Sequence, residues 1–255
     1  MKRAVALSKG DVLVLLLCVV FLLLGLGSVG PRGRTRAREL VCRSHLRQWG
    51  PIFNSSTQDN DGFFPLKEGK DDDNWWVESL WPYHKDEGPF ACPMATDVSE
   101  DVPATHRAWT LGQRVGSFGL NGWIHNPGAK LGTIHGNRPA TYCWPTPRIW
   151  EADRVPVLAD MCWTDAWAMH TDMPQAAEQS LAIKNGYNEM QRVCINRHDG
   201  GVNLLFLDGS VRKAGLKELW TFKWHRSYNP AGPWTKAGGV TPADWPSWLR
   251  GFKEF

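Results

Sequence analysis

The sequence lacks the short signatures that mark common enzymes. Neither Gly-x-Ser-x-Gly nor His-Glu-x-x-His occurs, so no serine-hydrolase or zinc-protease machinery can be read from it. The absence of Cys-x-x-Cys argues against a zinc knuckle or a dithiol redox motif. There is no internal repeat and no phosphate-binding glycine loop. A large excess of one charge is also missing: 29 Lys and Arg against 26 Asp and Glu leave +3, too little to mark a nucleic-acid binder. Tyrosine is scarce, four against fifteen tryptophans. Tryptophan buries a large area and has one N–H to satisfy, so this balance predicts a body of short, irregular elements packed by indoles. Sugar stacking and contacts between subunits are the sharper alternatives.

What is present begins at the N-terminus. Residues 1–11 form a short basic leader, residues 12–30 an uncharged apolar run, and residues 31–58 a basic amphipathic extension opening with Arg32, Arg34, Arg36 and Arg38. Nineteen apolar residues at about 1.5 Å each reach ~28 Å, enough for a hydrocarbon core of about 30 Å, so this run is expected to be a transmembrane helix. Basic residues flank both ends, and their count alone places the body on the cytoplasmic side. Asp11 at the mouth of the run is either an interfacial residue or an acid that meets the basic N-terminus of a neighbouring subunit.

The remaining residues, 59–255, make one domain of ordinary size. Cys42, Leu46, Trp49 and Phe53 recur at helical spacing, and Gly50-Pro51 predicts a bend or an end near Trp49. Residues 55–62 then read as a polar turn closing on Asp59-Asn60-Asp61-Gly62. Asp59 and Asp61 are weak calcium candidates, because the other ligands of a full calcium loop are missing. Otherwise no cofactor or metal is expected. Residues 66–190 carry Gly, Pro and Trp without long periodic segments, apart from short strands near 116–122 and 155–160. Five body cysteines allow up to two disulfides if the body is extracytoplasmic, with the pairing open.

Near the end, residues 192–196, 202–207 and 210–214 predict a three-stranded meander turned by Asp199-Gly200-Gly201 and Asp208-Gly209. Leu216, Leu219, Trp220 and Trp224 predict a helix face, and Asp244 to Gly251 a last short helix. His198 and Asp208 bracket a strand whose ends stand roughly 20 Å apart, too far for a catalytic dyad. Each is expected to order its own turn, while a third group could still meet His198 alone.

His198 through Gly209 reads as His, nine residues, Asp-Gly. Together with the apolar run, Cys42 to Gly50 and Asp59 to Pro65, it resembles the bacterial prepilin-type proteins similar to type II secretion pseudopilins, in the subgroup with a processing-associated His-x9-Asp-Gly motif (His198, Asp208, Gly209). The resemblance implies an α+β, pilin-like fold: a long N-terminal helix, its first half transmembrane, on an antiparallel sheet, with an irregular loop-rich insert. It implies a non-enzymatic subunit, single-pass in the inner membrane with its body in the periplasm, in a type II secretion or type IV pilus-like system. A prepilin peptidase would cleave between Ala6 and Leu7, leaving Asp11 fifth, with Gly10 as the alternative cleavage residue. Other pseudopilins or further copies would be its partners. The competing expectation is a membrane-tethered periplasmic polysaccharide-binding protein using exposed residues among Trp75, Trp76, Trp163 and Trp167.

Overall fold

The computed structural model describes residues 8–27, 30–65, 75–84, 90–99, 103–128, 132–134, 137–178 and 188–255. The chain divides into two compact units, Met1–Arg38 and Glu39–Phe255.

The N-terminal unit holds α1 (Lys9–Gly27) and the start of α2 (Pro31–Asp59). Ser8 and Asp11 start α1 as a reciprocal capping box: the Ser8 N–H donates to Asp11 Oδ2 at 2.9 Å, and the Asp11 N–H donates to Ser8 Oγ at 3.2 Å. Those bonds hold the Asp11 carboxyl below its usual range. Val12 to Leu17 and Val19 to Leu22 are all exposed.

The single long helix expected over residues 12–58 is not formed; two helices stand in its place. Gly25 and Gly27 weaken the end of the first, and Pro31, lacking an N–H and fixed in φ, opens the second. The second begins with four arginines within eight residues. Among the described residues no helix is long and apolar enough to cross a membrane. The expected transmembrane segment, and with it the single-pass inner-membrane placement with a periplasmic body, is therefore withdrawn.

In the larger unit, α2 continues through Pro51 to Asp59 rather than ending near Trp49. Burial explains this: Cys42, Leu46, Trp49, Ile52 and Ser56 form one stripe sealed against the sheet side, which outweighs the hydrogen bond lost at proline. A short α3 (Trp75–Leu80) follows. The strands are β1 (Trp109–Leu111), β2 (Arg114–Gly116), β3 (Phe118–Asn121), β4 (Thr133–Ile134), β5 (Arg138–Pro139), β6 (Pro156–Asp160), β7 (Asp165–Ala166), β8 (Gly201–Phe206) and β9 (Val211–Gly215). The central sheet runs β7-β3-β6-β8-β9. It is mixed rather than antiparallel, because β7 joins β3 in parallel.

Every residue of β3, β6 and β8 is buried, since both faces of the sheet are covered. Along β8, Val202, Leu204 and Phe206 face a layer containing Trp220, Trp224 and Trp245, while Leu205 faces the layer containing Leu46, Trp49, Trp76 and Trp109. Among the described residues eight tryptophans are buried. Their N–H groups are satisfied largely by backbone: Trp76 donates to Thr164 O at 2.8 Å, Trp109 to Phe118 O at 3.0 Å and Trp220 to Asp172 O at 2.8 Å.

The β8–β9 hairpin is formed, Gly209 taking φ 81° in its turn. Residues 192–196 supply no third strand: a 3-10 turn at Glu189–Arg192 leads into irregular backbone. A 3-10 helix, Lys217–Thr221, replaces the expected α-helical face, though Leu216, Leu219, Trp220 and Trp224 are all buried. Asp244 accepts from Thr241 N and Oγ1 in a turn, and no helix follows it.

Candidate functional site

His198 is placed by the turn that enters β8. Its N–H donates to Gly201 O at 3.0 Å, Asp199 takes φ 48° and Gly200 φ 83°, and Asn196 Oδ1 accepts from Gly200 N at 2.7 Å. Asn196 rather than the imidazole orders this turn, which frees the ring to point inward. Its Nε2 lies 3.1 Å from Asp160 Oδ2 and 3.3 Å from Cys92 Sγ. Cys42 Sγ, from α2, sits 3.5 Å and 3.6 Å from the two Asp160 oxygens. One ligand atom from each of Cys42, Cys92, Asp160 and His198 lies within 4.8 Å of all the others, and all four residues are buried.

The sheet builds this cluster. Asp160 ends β6, and its Oδ2 accepts the Asn203 N–H of β8 at 2.8 Å, just past the last ladder pair Ala159↔Leu204. A side chain thus takes over where the ladder ends. Asn203 Nδ2 donates to Cys42 Sγ at 3.2 Å and Met94 N to Cys92 Sγ at 3.4 Å, while Ser117 Oγ accepts Cys92 N at 2.7 Å. Arg197, also buried, closes the far side. Its guanidinium donates to the carbonyls of Ala104, Thr105, Arg107, Ser117 and Met161 and reaches Asp160 Oδ1 at 3.4 Å.

Burial works against charge at every one of these groups, and the neighbours overcome it at three. Desolvation opposes the Asp160 carboxylate, yet His198, Arg197 and the Asn203 N–H hold its pKa at about 2. Desolvation opposes the His198 cation, yet Asp160 raises it to about 9. Burial raises Cys92, but hydrogen bonds with Cys42 and His198 and the nearby Arg197 bring it down to about 7. At Cys42 the Asn203 hydrogen bond is outweighed, and burial, Cys92 and Asp160 push its thiol far up.

Cys92, His198 and Asp160 do not form a nucleophilic triad. In a triad the carboxylate orients the ring through the nitrogen opposite the nucleophile. Here Asp160 and Cys92 meet the same Nε2, and Nδ1 has no hydrogen-bond partner among the described residues. No face of the cluster is open to a substrate.

No protein-family model, no curated protein and no solved structure matches the chain.

The remaining sequence candidates are spread out. Asp208 caps its own turn, with Oδ1 accepting from Ser210 N at 2.9 Å and Oγ at 2.6 Å, at the opposite end of β8 from His198. Asp59 accepts from Tyr83, and Asp61 takes φ 54° in the exit turn; neither joins a group of three or more metal-ligating side chains among the described residues. Trp76 and Trp167 are buried and present no ring face to a sugar, while Trp163 is half-buried under Arg192. The Trp75 side chain, Ala6 and Leu7 lie outside the described residues. Gly10 lies in the first turn of α1. All six cysteines are free, with Cys18 exposed and the others buried. Sequence reasoning picked out His198 but missed Asp160, Cys42 and Cys92 as its partners, and missed Trp150, which is 95% exposed. The Asp at the end of an all-apolar strand was the available signal for Asp160.

Proposed function

We propose that the chain is a non-enzymatic, pseudopilin-like subunit that assembles with further copies of itself through α1. The surface of α1 carries the reading. Ten apolar side chains of residues 12–22 are exposed and run round the whole helix, and a helix apolar on all sides is stable only when other apolar surface covers it. A second copy supplies a matching surface at no cost in specificity, and lateral stacking of such helices gives an open assembly when the contact is head-to-tail. Asp11 sits at the start of this surface, where its charge can meet a neighbouring subunit's basic N-terminal residues. Prepilin-peptidase cleavage after Ala6 would leave both members of the Ser8–Asp11 capping box on the mature chain. The body, sealed on both faces of its sheet, is the part that such an assembly displays.

Cysteine scanning of the full chain tests this. With Cys18→Ser as background, single cysteines at positions 12–22 should cross-link between copies with helical periodicity, marking a defined interface. Asp11→Gln, which keeps an N3 side chain able to cap, should lower the cross-linking yield severalfold. An absence of cross-linking between copies at all these positions, or a monomer by sedimentation, would sink the reading.

A further inference from the structure

We propose that Cys42, Cys92, Asp160 and His198 form a closed structural site for one divalent transition metal ion, with zinc the ion its ligands favour. The inference stands apart from the assembly reading and holds whether or not α1 self-associates.

The distances carry it. A tetrahedral ion bonded to sulfur at ~2.3 Å and to nitrogen and oxygen at ~2.1 Å requires edges of roughly 3.4 Å for N···O and roughly 3.6 Å for S···N and S···O. The observed edges are 3.1 Å for His198 to Asp160, 3.3 Å for Cys92 to His198 and 3.5 Å for Cys42 to Asp160. These three edges are close to coordination spacing, and the other three lie within 4.8 Å. Hydrogen bonding alone explains this convergence poorly. His198 Nε2 carries at most one proton but faces two acceptors, and Cys42 Sγ is nearly equidistant from both carboxylate oxygens.

Charge leads to the same ion class. Two thiolates and one carboxylate carry −3, and Arg197 beside Asp160 returns +1, so a dication leaves the buried group neutral. The cation replaces the thiol proton of Cys42, that of Cys92 wherever it is still protonated, and the His198 Nε2 proton; no electron is transferred. Two soft sulfurs with one imidazole and one carboxylate suit zinc over magnesium or calcium. The surrounding donors also fit, since Met94 N and Asn203 Nδ2 point at the sulfurs and Asn203 N at the carboxylate. Four protein ligands and no solvent face make the site structural, loaded as the chain folds. It would fasten α2 to the ends of β6 and β8, and it gives the histidine of the His-x9-Asp-Gly segment a task its turn does not require.

Elemental analysis of the full chain, refolded with zinc under reducing conditions and dialysed, tests the site. About one zinc per chain is expected, falling to background in Cys42→Ser and Cys92→Ser and unchanged in Cys18→Ser. A cobalt-loaded sample should show the visible bands of a tetrahedral thiolate site, which distinguishes coordination from loss of fold in the variants. A chelator should lower the wild-type melting temperature, and added zinc should restore it. Metal-free wild type after zinc refolding would overturn the proposal. So would a Cys42–Cys92 disulfide in chain isolated without reductant, or full zinc retention in both cysteine variants.

Discussion

Asp160 Oδ2 lies 3.1 Å from His198 Nε2 with both side chains wholly buried, joining the end of β6 to the turn before β8. Buried charges of this kind persist only when every neighbour answers them, and after His198 itself the next answer to Asp160 is Arg197. Its guanidinium satisfies five backbone carbonyls as well as the carboxylate.

Arg197→Leu should therefore destabilise the body by about 3–5 kcal/mol, because it strands Asp160 and a set of buried carbonyls together. Urea unfolding followed by tryptophan fluorescence measures this; a loss under about 1 kcal/mol would mean that water replaces the guanidinium.

His225 should make the body acid-sensitive. Burial, with a smaller contribution from His170, lowers its pKa to about 3. The titratable rings around it are Tyr142, stacked at 4.5 Å, Tyr228 at 5.2 Å and His170 at 6.1 Å, with Trp123 at 5.0 Å completing the cage. Among the described residues neither ring nitrogen has a hydrogen-bond partner. The folded-state pKa lies below the unfolded one, so the unfolded chain binds the extra proton as pH falls. The stability from neutral His225 is thus complete above about pH 6.5 and declines toward pH 3, by at most about 1.4 kcal/mol per pH unit. Subtracting the pH–stability profile of His225→Phe from that of wild type should isolate this slope. Parallel profiles would show that the imidazole reaches solvent.

Ser8→Ala should shorten or fray the start of α1 and cost that helix about 1 kcal/mol. Asp11→Ala should do the same, while Asp11→Gln should keep helix content near wild type. Circular dichroism of peptides spanning residues 1–30 separates the three. Equal loss in Asp11→Gln would assign Asp11 to helix initiation through its charge rather than its hydrogen bond.

Trp150 is 95% exposed at the entrance to the left-handed turn at Glu151. Trp150→Phe should change stability by no more than about 0.5 kcal/mol yet remove a large part of the fluorescence quenched by acrylamide. Trp76→Phe should do the reverse, sparing the quenched fraction and costing the bond to Thr164 O, about 1–3 kcal/mol.

Local chemistry made several elements legible without any fold. Asp208-Gly209 between apolar runs gave the β8–β9 hairpin, because a tight turn closed by a glycine at positive φ is a property of those residues themselves. The stripe from Cys42 to Trp49 gave the buried face of α2, and the length of β8 was enough to exclude a His198–Asp208 dyad. Only tertiary packing decided that α2 runs on through Pro51, since burial of Ile52 and Ser56 outweighs one missing hydrogen bond. It also decided that Leu216 to Trp224 pack as a 3-10 turn, and that β7 makes the sheet mixed. The same holds for the buried site. Cys42, Cys92, Asp160 and His198 are far apart along the chain and share no spacing rule, so no local pattern could announce them. They meet because a helix, a loop, a strand end and a turn converge on one layer of the core.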